Sequence, residues 1–438
     1  MATIDYEVIP GGPLQGQVRV PGDKSISHRA VMLSALAQGE SRISGLLDGE
    51  DVLGTIAAFR ALGVVIEGPH EGRVRIEGAG LHGLRAPAGP LDFGNSGTAM
   101  RLMTGLLSAQ AFSSELIGDA SLMSRPMARV AVPLRRMGAV IDTAADGRPP
   151  LFIHGGAQLT GIRYEMPVAS AQVKSAILLA GLYARGETTV VEPAPSRDHT
   201  ERMLAGFGYP VERSGQAVTI RGGAGPLKAS VLEVPADLSS AAFFLVAGSI
   251  IPGSRLELLR VGINPTRTGV VDILRAMGAR IDRRHERIVN GEPVADLVVE
   301  ASALRGITVD SALVPLAIDE FPALFVAAAC AQGTTVVRGA KELRVKESDR
   351  LAVMARGLAA LGVRVEEFED GLAVTGGSLR GGVVDSQGDH RIAMAFAVAG
   401  HRAEGMVRIR DCRNVATSFP NFDGLARAVG MDVRVLPA

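Results

Sequence analysis

The chain has 438 residues, enough for two or three domains, and its 47% apolar content, 53 Gly and lack of Trp suit a tightly turned α/β or α+β protein. Lys+Arg and Asp+Glu balance at 46 each, which disfavours a nucleic-acid binder. No apolar run approaches the ~20 residues of a membrane span, MATIDYEVIPGG does not read as a signal peptide, and two cysteines, Cys330 and Cys412, make neither a disulfide framework nor a metal set. These features point to a reducing cytoplasm.

In chain order the predicted elements repeat one unit six times: a short strand, a polar turn, an apolar helix, more strand, and an amphipathic helix ending in an apolar residue and glycine. The closing dipeptides are Leu62-Gly63, Met137-Gly138, Phe207-Gly208, Met277-Gly278, Leu361-Gly362 and Val429-Gly430. Glycine takes the left-handed conformation needed just past a helix end without steric cost, so these mark six helix exits. The first helices start near VPGDKSISHRA, LDFGNSGTAMR, MPVASAQVKSA, VPADLSSAAFF, LAIDEFPALF and VDSQGDHRIAM, and their bodies are apolar nearly all round, which predicts burial on every side. The second helices, such as DVLGTIAAFRALG and TGVVDILRAMG, carry apolar residues at three- and four-residue steps with Arg between them, which predicts an outer position.

Val20-Pro21-Gly22-Asp23 is echoed by Val234-Pro235-Ala236-Asp237, which suggests a duplication with three repeats per half. The expected domains are residues 1–21 plus 237–438, a discontinuous domain, and 22–236, a domain inserted into it. A ligand cleft between two lobes is the expected consequence.

Chemistry gathers at the helix starts. Lys24, Ser25, Ser27 and Arg29 stand at the first, Asn95 to Thr98 at the second, Ser170 and Gln172 at the third, Asp319 and Glu320 at the fifth, and Asp389 to Arg391 at the sixth. Ser, Thr, Asn and Asp there are also ordinary N-caps, worth ~1 kcal/mol each. Cations are not, because they oppose the helix dipole; Lys24, Arg29 and Arg391 therefore call for an anion. The second-helix starts add Arg125, Arg197, Arg267, Lys346, Glu347 and Arg350; for KESDR alone a solvated ion-paired face is an equally simple reading. Together they predict a site for small anions bearing phosphate and carboxylate groups, matched by arginine forks. Asp319, expected half-buried, and Glu347, among cations, are the material for general acid and base work. The chain has no dinucleotide fingerprint, no phosphate-binding GxxxxGK[ST] loop and no HExxH.

Eight ordered motifs, PGDKSISHRA, GNSGTAMRL, SRPM, ASAQVKSA, SRDHTE, IDEFP, LRVKESDR and GDHRIAMAFA, span the chain, which thereby resembles the 5-enolpyruvylshikimate-3-phosphate synthase family. The resemblance implies an α/β (α+β) fold, a two-domain inside-out α/β barrel of six βαβαββ repeats, three per domain. It implies transfer of the carboxyvinyl group of phosphoenolpyruvate to the 5-hydroxyl of shikimate 3-phosphate by addition and elimination, the sixth step towards chorismate, without metal or cofactor. It implies that Lys24, Ser25, Arg29, Ser170, Gln172, Arg197, Asp319 and Lys346 hold shikimate 3-phosphate, and that Lys24, Gly97, Arg125, Gln172, Arg350 and Arg391 hold phosphoenolpyruvate. Asp319 would take the hydroxyl proton, Glu347 would protonate the methylene carbon, and Lys24 would touch both substrates. A cytoplasmic monomer is implied, with no nucleic-acid or membrane partner.

Some positions depart from the common pattern. Thr417 stands where many members have a phosphoenolpyruvate-binding Lys, Glu342 where many have Asn, Ser96 where Ala is common, and Ala171 in place of a second Ser. Gly97 lacks the methyl found in many glyphosate-tolerant relatives, so glyphosate is an expected inhibitor. The rival reading with the same fold is UDP-N-acetylglucosamine enolpyruvyl transferase; its acidic loop cysteine has no counterpart in FSSELIGDASLMSR. A repeat protein that only binds phosphorylated ligands would not require Asp319 and Glu347.

Overall fold

The computed structural model describes residues 4–437. The chain divides into two compact units. The discontinuous unit takes the chain through Pro21, then Pro235–Ile288 and everything from Pro293 onward; the inserted unit is Gly22–Val234 together with Val289–Glu292. The second crossing therefore falls at Pro235, two residues ahead of the expected 237. The reason is local: the Ala236 amide donates to Arg260 and the Asp237 amide to Pro21, which ties both residues into the discontinuous unit. The Val289–Glu292 excursion has no signature in the repeat pattern; Asn290 holds it by accepting from the Glu233 amide and donating to the Val231 carbonyl.

Each unit contains three small sheets. Within a repeat, two parallel strands flank the first helix and an antiparallel hairpin follows the second. Leu91–Asp92 pairs parallel with Ser114–Ile117, which pairs antiparallel with Leu151–Ile153, which in turn pairs with Ile141–Thr143. Arg163–Glu165 and its successors follow the same order. Three repeats borrow a strand from a distant part of the chain. Gln15–Val18 pairs parallel with Arg255–Gly262, and Ile4–Val8 lies between Val407–Arg410 and Val433–Pro437. In the inserted unit, Leu227–Lys228 and Val231–Glu233 pair parallel with Ala37–Ser44. Each unit is thus closed by chain that arrives late or leaves early.

The six first helices are Lys24–Leu36 (α1), Gly97–Leu107 (α2), Ala171–Gly181 (α3), Leu238–Ile250 (α4), Phe321–Ala329 (α5) and His390–Arg402 (α6). They occupy the cores, as all-round apolar surfaces require; every residue of α4 and of α5 is buried. Two separate hydrophobic cores result, one per unit. The second helices bury only one stripe: Gly269–Ala276 buries Val270, Val271, Ile273 and Leu274. All six exit glycines have positive φ, from +78° to +106°. In three repeats the arginine three residues before the exit glycine clasps a carbonyl three residues after it with two donors: Arg60 on Ile66, Arg135 on Ile141 and Arg275 on Ile281. This clasp fixes the angle between the outer helix and the strand that follows.

Packing of α2 on α3 sets the positions of Gly97 and Gln172. Gly105 makes that packing close, since a Cβ there would lie 2.1 Å from the Ala176 carbonyl oxygen. Gly105→Ala is expected to destabilise the protein by about 1–3 kcal/mol through overpacking, despite the intrinsic helix gain of Ala. Urea unfolding measures it; an unchanged or raised midpoint would contradict this packing.

Candidate active site

In the inserted unit the starts of α1, α2 and α3 converge. Asp23 caps α1, accepting from the Ile26 amide at 2.9 Å, and Ser96 and Ser170 cap α2 and α3. Lys24, the first residue of α1, pairs with Asp51 at 2.9 Å and keeps part of its surface exposed. Gln172 reaches from α3 to α2, donating to Thr98 Oγ1 (2.9 Å) and accepting from Arg101 Nη1 (2.7 Å). Arg125 is buried and clasps Asn95 through both its side-chain and backbone oxygens, with Ser121 Oγ at 3.0 Å. Gly97 leaves the space between two cations open: a Cβ would lie 2.8 Å from Arg101 Nη1 and 3.3 Å from Arg125 Nη1.

Arg29 has partners that the sequence does not reveal. Its guanidinium donates to Thr200 Oγ1 (2.6 Å), Ser175 Oγ (2.7 Å) and the Ser25 carbonyl (2.9 Å), all neutral groups. Burial pushes its pKa down to about 10, with Glu201 and Asp23 opposing the shift. Arg197 and Ser25 are partly exposed nearby in the same unit.

In the discontinuous unit α4, α5 and α6 converge in the same way. Arg350, at the start of the outer helix Arg350–Ala360, is fully buried and meets three carboxylates: Asp389 Oδ2 (2.8 Å), Glu347 Oε2 (2.6 Å) and Asp319 Oδ1 (3.5 Å). Burial alone would lower its pKa; the carboxylates outweigh it and hold the guanidinium charged, well above its ordinary value. Lys346 Nζ lies 3.2 Å from the same Asp319 oxygen. Arg391 Nη1 donates to the Asp319 carbonyl at 3.2 Å and sits 3.9 Å from Glu320, whose carboxylate also accepts from Ser239 Oγ. Asp319, Lys346, Glu347, Arg350 and Arg391 are therefore one cluster. Two proton-transfer candidates, Asp319 and Glu347, stand on opposite nitrogens of one guanidinium.

Sequence reasoning named Asp389 as a helix start but gave it no task. It is fully buried, caps α6 by accepting from the Arg391 amide (2.9 Å), and takes Ser348 Oγ at 3.1 Å besides Arg350. The signal was present, an aspartate two residues before a cationic site residue. Asp51 and Arg101 were missed, since nothing along the chain links them to Lys24 and Gln172. Arg267, read as an anion-site cation, is buried on Asp237 (3.1 Å) and Ser239 (2.6 Å). Thr417 is buried and donates to the Asn414 carbonyl at 2.7 Å, closing a local turn.

Among the described residues one group, Asp198, His199 and Glu292, brings potential metal-ligand atoms within 4.8 Å of one another. Protein groups already engage it: Arg202 and Arg213 hold Asp198, and His199 Nδ1 lies 2.7 Å from Glu292.

The family model for EPSP synthase (3-phosphoshikimate 1-carboxyvinyltransferase) matches residues 8–425. A 3-phosphoshikimate 1-carboxyvinyltransferase of Methylococcus capsulatus is 63% identical over 426 residues, covering 97% of each chain. The solved EPSP synthase of Acinetobacter baumannii superposes with a TM-score of 0.89 at 53% identity, covering 99% of this chain and 100% of that one. An enolpyruvyl transferase of Streptomyces tendae, at 20% identity over the whole of both chains and a TM-score of 0.80, shares the fold.

The α1 start also makes a pH prediction. His28 is buried between Thr55 Oγ1 (2.8 Å) and Ser96 Oγ (3.4 Å), and burial, then Lys24 and Arg29, hold its pKa well below 6.5. A depressed histidine favours the neutral form in the fold. Its contribution to stability is present above pH 6.5 and is lost as pH falls below that value. Thermal stability should decline below about pH 6.5, and His28→Gln should flatten that decline. An equal slope in the variant would contradict this.

Proposed function

The chain belongs to the EPSP synthase family, and from that premise we propose how its residues divide the work of a 3-phosphoshikimate 1-carboxyvinyltransferase. The enzyme transfers the carboxyvinyl group of phosphoenolpyruvate to the 5-hydroxyl of shikimate 3-phosphate and releases phosphate. The observation that carries the assignment of roles is the buried Arg350 with Asp319 and Glu347 on its two terminal nitrogens.

In the addition step Asp319 accepts the proton of the 5-hydroxyl as its oxygen bonds to C2 of phosphoenolpyruvate. Glu347 delivers a proton to C3, which becomes a methyl group. In the elimination step the Glu347 carboxylate takes a proton back from that methyl as the bond from C2 to the phosphate oxygen breaks. The proton held by Asp319 passes to the departing phosphate oxygen, so both carboxyl groups return to their starting states and atoms and charge balance. Lys24, Ser25, Arg29, Ser170, Gln172, Arg197 and Lys346 are assigned to shikimate 3-phosphate, and Lys24, Gly97, Arg125, Gln172, Arg350 and Arg391 to phosphoenolpyruvate. Arg29 acts in this reading through a guanidinium already fixed by Thr200 and Ser175. The site residues act by direct proton transfer and charge neutralisation.

Glyphosate sensitivity is proposed from Gly97, where an added methyl must displace Arg101 and Arg125. A monomer working in the cytoplasm completes the reading. Among the described residues no helix is long and apolar enough to cross a membrane.

Asp319→Asn keeps the shape of the side chain and removes the base. Turnover should fall about 10²–10⁴-fold while shikimate 3-phosphate still binds; full activity would favour a protein that merely binds phosphorylated ligands. Gly97→Ala should raise the glyphosate inhibition constant by about tenfold or more, with a rise in KM for phosphoenolpyruvate. An unchanged inhibition constant would refute the sensitivity argument.

A further inference from the structure

We infer that Lys174 is a positioning residue, a buried staple that fixes the segment carrying Arg197 against the start of α3 and so sets the geometry in which shikimate 3-phosphate is held. The inference rests on the functional reading above and deepens it.

Lys174 lies in the first turns of α3, and its side chain is 1% exposed. Its ammonium is 2.7 Å from Glu192 Oε2 and 2.7 Å from Glu201 Oε1. Glu192 directly follows the strand Glu187–Val191, and Glu201 sits in the first turn of the helix His199–Gly206. The two carboxylates therefore bracket residues 193–200, and one cation draws both ends of that segment to α3. Ser196, next to Arg197, donates to the other oxygen of Glu192. Arg213 Nη2, 3.6 Å from Glu201, brings a second cation to the pair of carboxylates.

The network continues into the ligand-facing residues. Ser175 and Thr200 are the chain neighbours of Lys174 and Glu201; their hydroxyls meet at 2.7 Å, and both accept from Arg29. Ser170 and Gln172 precede Lys174 on the same helix start. Thus α1, α3 and the Arg197 segment share one set of buried polar contacts. Lys174 itself is enclosed by its partners and is not among the residues assigned to either substrate.

A buried ion triad is a poor device for stability alone, since neutral groups of similar volume often pack as well or better. What they lack is direction. A directed hydrogen bond from Lys174 to Glu192 and a 2.7 Å ion pair to Glu201 tie loop to helix, and a displacement of about 1 Å in a binding group is enough to cost up to 10²-fold in function.

The test compares the full-length wild type with the triple variant K174M/E192Q/E201Q. Melting temperature, shikimate 3-phosphate affinity by calorimetry, KM for phosphoenolpyruvate, and hydrogen exchange of the ligand-free protein at residues 194 and 196–198 are measured on both. The staple predicts a melting temperature close to wild type, shikimate 3-phosphate affinity lowered about tenfold or more, KM for phosphoenolpyruvate changed little, and faster exchange across the segment. Glu192→Gln alone keeps the Lys174–Glu201 pair and should show a smaller change in the same direction, which keeps the test decisive if the triple variant does not fold. Wild-type affinity with wild-type exchange in either folded variant would overturn the staple. Failure of the wild type itself to bind shikimate 3-phosphate would overturn the functional reading instead, and the exchange comparison would separate the two.

Discussion

Cations at helix N-termini are opposed by the helix dipole, and this fold depends on how that opposition is met. The solution is an aspartate with two duties. Asp389 caps α6 and holds Arg350; Asp237 caps α4 and holds Arg267. A carboxylate at that place is favoured by the same dipole that disfavours the cation. One residue therefore satisfies a free amide of a helix and neutralises a buried arginine beside it. Asp389 carries the larger load, because Arg350 in turn orients Glu347 and faces Asp319. Without such pairing a guanidinium as buried as Arg350 would impose a heavy desolvation cost.

The fold supplies these starts by repetition. Six apolar helices are buried, six small sheets are arranged around them, and six glycines with positive φ return the chain to the next strand. The chemistry is not repeated with the fold. The α4 start is spent on the Asp237–Arg267 pair, whereas α5 and α6 carry Asp319 and Arg391. The Streptomyces tendae structure keeps the fold at 20% identity, and a fold by itself does not choose a reaction. The choice lies in the side chains at the helix starts.

Much of this was legible along the chain because it is local. An exit glycine, a capping aspartate and an all-round apolar helix are each written within a few residues, and their recurrence exposed six units and a duplication. The eight motifs placed the chain in its family and brought Asp319, Glu347, Arg350 and Arg391 into one list; the fold then brought them into one cluster. What the chain did not show is partnership across distance. Arg29 read as a cation at a helix start, with nothing to show that it is held by Thr200 and Ser175, 171 and 146 residues away along the chain. Lys174 sat in plain view in ASAQVKSA, but its burial between Glu192 and Glu201 depends on packing that no spacing rule encodes. The crossing at Pro235 and the Val289–Glu292 excursion were decided by single backbone and side-chain hydrogen bonds, which periodicity does not resolve.

The central claim is that these helix starts select shikimate 3-phosphate as the acceptor for phosphoenolpyruvate. The most direct measurement is phosphate release from phosphoenolpyruvate by the purified protein, with shikimate 3-phosphate and UDP-N-acetylglucosamine offered in parallel. The account predicts release with shikimate 3-phosphate alone. Release with the sugar nucleotide alone, or with neither acceptor, would contradict it.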